Sequence, residues 1–272
     1  MKSILTVVTI VKDDLDGLLR TRQSLKPCRD FIDWLIVTPN ESGLTLQLAQ
    51  QMLAEREIER IVFDNGFGIY QAMNLALASI DGDQWVWFLN SGDEVAESST
   101  LDVIWKTLNN SSADWIYGGF YLADRDGEII RYHAPPQCFE PRKQLFSRSF
   151  VSHQSIIMKS SLLNSLHGFD EEIKVAADWD LLVRASQISK PNRVDHPIAI
   201  FHLGGFSSSN RHIGNRDLLK LRTKYLSKSF IPLSYLWFLH RIFRNKIVNL
   251  LERINPKFIK FLRRAKSRLL KN

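Results

Sequence analysis

The feature that most constrains this chain is a repeated alternation in its first 92 residues, where short apolar, β-branched runs are separated by stretches with helical apolar spacing. Residues 4–10, 34–37, 58–63 and 85–89 read as strands. Residues 14–24, 44–55 and 70–79 read as helices, the second with apolar positions at 44, 48, 52 and 53. A βαβαβαβ order requires a largely parallel sheet with right-handed crossovers, which is an α/β fold. The fourth run, Trp85-Val86-Trp87-Phe88-Leu89, is unbroken and stops at Asn90-Ser91-Gly92-Asp93-Glu94. A carboxylate therefore falls at the C-terminal edge of a core strand, and in open α/β sheets the ligand crevice lies beyond those edges.

A second acidic site follows much later. Val175-Ala176-Ala177 leads into Asp178-Trp179-Asp180-Leu181-Leu182-Val183-Arg184, whose acidic first turn and apolar positions 179, 182 and 183 mark a helix start. One acid at a strand edge suits a metal, and another nearby suits proton transfer. Between the two, residues 113–121 and 127–132 read as strands around the turn Asp124-Arg125-Asp126-Gly127. Residues 133–148, with Pro135, Pro136 and Pro141, read as loop, 155–158 as a strand and 160–166 as a short helix.

Several classes are excluded. At 272 residues and 44% hydrophobic, the chain suits one large domain (residues 1–212) with an appendage (213–272). Cys28 and Cys138 form neither metal-ligand spacing nor a disulfide framework, which fits a reducing cytoplasm. The apolar stretch at 4–11 is too short for a membrane span and lacks a small-residue cleavage site.

Charge is divided unevenly. From Arg222 onward fourteen bases face one acid, Glu252, a net of +13, so the first 221 residues carry −6 of the whole-chain +7. Within this tail Phe258, Phe261, Leu262, Ala265 and Leu269 fall on one helical face, with Lys257, Lys260, Arg264 and Lys271 elsewhere. Residues 231–251 are rich in Trp, Phe, Tyr and Leu but are interrupted by His240, Arg241, Arg244, Asn245 and Lys246, so they do not span a bilayer comfortably. An interfacial pair of helices on anionic lipid is the expectation, with packing on the main domain or dimerisation as alternatives. Nucleic-acid binding through the tail is not expected, because the body is acidic and no nucleic-acid motif is present.

Phe88-Leu89-Asn90-Ser91-Gly92-Asp93 resembles the metal-binding strand end of the inverting family 2 glycosyltransferases. Gly68-Ile69-Tyr70-Gln71-Ala72-Met73-Asn74, Ser152-His153-Gln154, Gly168-Phe169-Asp170, Ala177-Asp178-Trp179-Asp180 and Gly204-Gly205-Phe206-Ser207 resemble that family's other motifs in the same order, over roughly residues 3 to 210. The resemblance implies a GT-A-like (Rossmann-related) sheet whose nucleotide-binding half ends near Gly92. It implies a nucleotide-sugar donor, Mn²⁺ or Mg²⁺ held by Asp93, and Asp178 as catalytic base with Asp180 as the rival acid. Thr9, Thr38, Asp64, Asn74, Asn90, Ser91, His153 and His202 would serve the donor and its diphosphate. The acceptor would be a saccharide, lipid-linked as in bacterial exopolysaccharide and lipopolysaccharide assembly, used on the cytoplasmic face of the membrane by a peripheral enzyme.

This chain departs from the family pattern in places. Thr38 replaces an acid that often reads the nucleobase, and Gly66 and Gln71 replace two more acids around the Gly-Ile-Tyr segment, with Asp64 or Glu41 as candidate substitutes. A non-catalytic nucleotide- or saccharide-binding protein derived from the same fold is the alternative.

Overall fold

The structure, a computed structural model, describes residues 5–41, 43–141, 151–205 and 210–254. Its first half is built from β1 (Leu5–Ile10), β2 (Asp33–Pro39), β3 (Arg60–Asp64) and β4 (Trp85–Phe88), linked by α1 (Leu15–Leu25), α2 (Leu44–Ala54) and α3 (Ile69–Ala78). These four strands are mutually parallel in the order β3-β2-β1-β4. The chain thus builds outward from β1 and then crosses back to its other side. The switch point falls between β1 and β4, whose C-terminal ends flank the crevice.

Both faces of this sheet are covered, so its strands read as continuous apolar runs. Alternation still sorts the side chains. Val8, Val86 and Phe88 join the core against α3, while Val7, Trp85 and Trp87 join the core on the opposite face. Val7, Val8 and Trp87 are completely buried, and each such side chain stabilises the fold by about 1.5–3 kcal/mol. Helix α1 starts where the Asp14 carboxylate accepts a hydrogen bond from the Gly17 amide.

The second half is mixed. It comprises β5 (Glu94–Val95), α4 (Thr100–Asn110), β6 (Trp115–Ala123), β7 (Ile129–His133), β8 (Ile156–Lys159), α5 (Ser160–Ser165), α6 (Ala177–Ile188) and β9 (Asn192–His202). Strand β8 runs antiparallel to both neighbours, β4 and β6, and β6 pairs in parallel with β9. The short β5 pairs antiparallel with the end of β9, and this draws the β9 terminus back to the β4 edge.

Two further helices follow, α7 (Arg211–Tyr225) and α8 (Ile231–Ile254). Helix α7 belongs to the body: Leu221 lies in the core, and the Asp217 carboxylate accepts from the Val175 amide just ahead of α6. Helix α8 packs on α7, where the Arg222 guanidinium stacks 3.3 Å from the Trp237 ring and Arg241 lies 4.7 Å from it. Burial pushes Arg222 down to about 10. Among the described residues no helix is long and apolar enough to cross a membrane. The expected stripe of Phe258, Phe261, Leu262, Ala265 and Leu269 lies outside the described residues.

Candidate active site

The crevice is assembled from three chain ends. Beyond β1, Lys12-Asp13-Asp14 turns into α1. Beyond β4, Ser91 donates its amide to Ile10 O and its hydroxyl to Asp14 Oδ2 at 2.9 Å, tying the two strand ends together. Gly92 holds a φ of +90°, a left-handed turn that glycine adopts without strain, and this turn delivers Asp93 inward.

Asp93 is buried, and its two oxygens have different partners. Oδ2 accepts from Gln154 Nε2 at 2.8 Å and Oδ1 from the His202 amide at 3.3 Å. Burial pushes the carboxyl up to about 6, only partly offset by the Gln154 hydrogen bond and the nearby histidines. The His202 ring is itself oriented: its Nε2 lies 2.6 Å from Glu94 Oε1, so the ring proton belongs there. Its Nδ1 is buried and, among the described residues, has no hydrogen-bond partner, and the same holds for Asn90 Oδ1.

On the other side of the crevice stands Asp178, in the first turn of α6. Its Oδ1 accepts from the Trp179 amide at 2.9 Å and from the Tyr70 hydroxyl at 3.4 Å. The single Tyr70 proton is shared with Val175 O, the nearer acceptor at 2.7 Å, and burial holds the phenol well above the usual range, so it remains a neutral donor. Asp178 Oδ2 faces His153 Nδ1 at 3.6 Å, too long for a hydrogen bond, which leaves this oxygen room for a proton. Across the ring, His153 Nε2 lies 3.0 Å from Asn90 Nδ2. With the imidazole neutral, the amide donates to Nε2 and the ring proton on Nδ1 points toward Asp178.

One tripeptide therefore touches both acids. Ser152-His153-Gln154 sends His153 to Asp178 and Gln154 to Asp93, and it is itself pinned by Trp87 Nε1 donating to Gln154 O at 2.7 Å. The Ser152 hydroxyl bonds the Gln154 carbonyl oxygen, fixing which end of the amide faces Asp93.

The remaining expected residues divide by position. Thr38 and Asp64 share the C-terminal rim of the sheet, where β2 and β3 pair Thr38 with Phe63 and Pro39 with Asp64. Thr9 is completely buried, donating to Leu89 O and accepting from Trp34 Nε1 at 2.9 Å, so it joins strand to strand. Asn74 clamps the Gly168-Phe169 turn, accepting from the Phe169 amide and donating to Phe169 O, each at 2.9 Å. Asp180 is buried under three donors: Arg184 Nε at 2.6 Å on Oδ2, with Lys224 Nζ at 2.9 Å and Tyr225 at 2.6 Å on Oδ1. Burial works to raise its carboxyl, but the Tyr225, Lys224 and Arg184 hydrogen bonds overcome that and hold it below the usual range. Gln154, Tyr70 and Glu94 join the candidate site as well, although the sequence assigns none of them a role there. The Ser-His-Gln and Gly-Ile-Tyr motifs mark Gln154 and Tyr70 by position without saying what they touch, and Glu94 is marked only by its place after Asp93.

Three parallel βαβ units and an antiparallel β8 set into one mixed sheet, with an aspartate beyond β4 and a second at the start of α6 joined by one tripeptide, are the architecture of a GT-A glycosyltransferase. The chain belongs to glycosyl transferase family 2, whose sequence profile matches residues 6–165. It is 27% identical over 205 residues to the "Uncharacterized glycosyltransferase" Rv1514c of Mycobacterium tuberculosis, covering 75% of this chain and 76% of the relative. It is 25% identical over 222 residues to a PGL/p-HBAD biosynthesis glycosyltransferase of Mycobacterium bovis, covering 79% and 80%. Among solved structures, S. aureus TarS 1-349 with UDP-GlcNAc superposes with a TM-score of 0.61 at 16% identity, covering 97% of this chain and 79% of that one. The Pyrobaculum calidifontis mannosyltransferase PcManGT with GDP-Man and Mn²⁺ gives 0.60 at 13% identity, covering 86% and 69%. These structural likenesses establish the fold.

Proposed function

We propose that this glycosyltransferase moves a sugar from a nucleoside diphosphate to a saccharide acceptor with inversion, using Asp178 as base. The acceptor hydroxyl oxygen bonds to the anomeric carbon as its proton passes to Asp178 Oδ2, and the bond from that carbon to the diphosphate oxygen breaks. Tyr70 and the Trp179 amide hold Oδ1, and His153 faces the other edge, so the carboxylate is aimed before the acceptor arrives.

The donor set fits a divalent cation. Asp93 is a buried carboxylate, and His202 Nδ1 is a buried lone pair on a ring whose other nitrogen bonds a carboxylate, an arrangement typical of metal-bound histidine. Among the described residues no cluster of three His, Cys, Asp or Glu side chains forms a closed metal cage. That suits a cation shared with the diphosphate, held by few protein ligands. Asp93 and His202 would hold Mn²⁺ or Mg²⁺, which supplies positive charge to the departing diphosphate.

Asp180 acts at one remove, holding α7 against α6. Thr38 and Asp64 border the nucleobase end, and the acceptor is a lipid-linked saccharide of cell-surface assembly, a reading supported by the likeness to a PGL/p-HBAD biosynthesis glycosyltransferase. The observation that carries the reading is the convergence of Asp93 and Asp178 on one Ser152-His153-Gln154 segment. Calorimetry of a nucleotide-sugar panel with Mn²⁺ or Mg²⁺ would identify the donor, and NMR of the product would report its anomeric configuration. Retained configuration, or transfer surviving Asp178→Asn, would sink it. The rival, a non-catalytic binder, draws on the acids replaced by Thr38, Gly66 and Gln71, and predicts donor binding with no Asp178-dependent turnover.

A further inference from the structure

Helix α8 presents an apolar strip over which no described residue is packed. Leu236, Leu239, Phe243 and Ile247 follow one another at spacings of three and four along a single face. Their exposures are 64%, 59%, 66% and 41%, although the opposite face, with Ser234, Trp237 and Arg241, is turned toward α7. Charge is arranged around the strip. At about 100° per residue, Lys246 falls on one flank, and His240 and Arg244 fall on the other. From Arg222 to Leu251 there are six bases and no acid.

We propose that this face of α8 is an in-plane membrane seat, with the strip sunk among acyl chains and Arg244 and Lys246 at the anionic headgroups. The inference deepens the reading of a lipid-linked acceptor and rests on it for its purpose, though the surface itself is defined independently. Two features favour lipid over protein as the occupant. A two-fold contact through α8 would set one acid-free basic surface against its own copy, which is repulsive. An apolar centre flanked by bases is the pattern an interfacial helix needs, because burial of the strip and attraction to anionic lipid add. Helix α8 is also coupled to the site. It packs on α7, whose Lys224 and Tyr225 hold Asp180, two residues from Asp178. Seating α8 on a bilayer would therefore hold the catalytic helix close to the surface that carries a lipid-linked acceptor.

The test uses the full chain with phosphatidylcholine vesicles, alone or mixed with phosphatidylglycerol. Wild type should partition to the mixed vesicles and be released by high salt. Leu236→Ser/Leu239→Ser/Phe243→Ser should lose at least tenfold in partitioning while retaining nucleoside diphosphate binding, which shows that the variant is folded. Arg244→Glu/Lys246→Glu keeps the strip and should lose binding to the mixed vesicles by about tenfold or more. Undiminished vesicle binding by the triple variant overturns the seat. So does a wild-type dimer in light scattering that the triple variant converts to monomer without changing vesicle binding, because the strip would then be a subunit interface. Loss of vesicle binding alongside unchanged transfer to a lipid-linked acceptor keeps the seat and removes its assigned purpose. Vesicle binding without any sugar transfer keeps the seat and removes the catalytic reading.

Discussion

His153 Nδ1 stands 3.6 Å from Asp178 Oδ2, while the opposite ring nitrogen lies 3.0 Å from Asn90 Nδ2. The imidazole thus joins the strand-edge motif to the acid on α6. Asn90 and Ser91 stand where the resembling motif has its first acid, and the asparagine makes chemical sense here. An amide offers His153 a donor and keeps a carbonyl oxygen for the crevice.

Replacing the base without changing its shape tests the division of labour between the two acids. Asp178→Asn should lower kcat by about 10²–10⁴-fold with little change in donor affinity. Asp180→Asn should behave differently, because its carboxylate is fully engaged by Arg184, Lys224 and Tyr225. Losing charge-assisted bonds there costs about 1.5–3 kcal/mol, so thermal denaturation should show a clear drop in Tm with residual turnover. A catalytic loss confined to Asp180→Asn would reverse the assignment.

The raised carboxyl of Asp93 sets a pH window. A buried acid pushed up to about 6 contributes stability below its unfolded value, and that contribution is lost as pH rises through about 6. A cation binds the ionised form and recovers the loss. The Tm gain from Mn²⁺ plus nucleoside diphosphate should therefore be large near about pH 7.5 and small near about pH 5. Asp93→Ala should abolish it, and an equal gain at both pH values would count against the metal role.

Gln154 offers a subtler test. Gln154→Leu removes the donor to Asp93 Oδ2 while leaving both acids in place. Metal-dependent nucleotide affinity should fall by about tenfold, the cost of one buried charge-assisted bond. The pH midpoint for metal-induced stabilisation should rise, because less would then favour the ionised carboxylate. A Gln154→Leu protein with wild-type metal affinity and an unmoved midpoint would show that Gln154 serves packing alone.

An acid placed at position 90 tests the amide there. Asn90→Asp adds a carboxylate beside Asp93 and should tighten metal binding, measured by calorimetry, because affinity for hard cations rises with ligand charge. It also removes the amide donor from His153 Nε2, so kcat should fall even as the metal is held more firmly. Higher kcat together with tighter metal binding would show that the Asn90 amide has no part in aiming Asp178.

The sheet up to β4 was legible because β1, β2 and β4 are buried on both faces and the helices keep apolar spacing; the observed bounds lie within a few residues of those expected. The second half was legible only in part. Strand β9 escaped because Asn192–His202 carries Pro197, which normally argues against an inner strand. The structure accommodates it where Gly119 pairs Pro197 and the β6 register shifts. Strand β5 has two residues, too few for any periodic signal, yet its pairing with β9 is what brings His202 to Asp93. Within the site, Asp93, Asp178 and His153 could be named from motifs. Tyr70 reaches Asp178 across more than a hundred residues, a contact that only the fold creates.

The grip of Lys224 and Tyr225 on Asp180 makes the end of α7 part of the footing of α6. A chain cut before Lys224 would leave that buried carboxylate with Arg184 alone to answer it, so a shortened body without the end of α7 should lose stability in α6 as well as length.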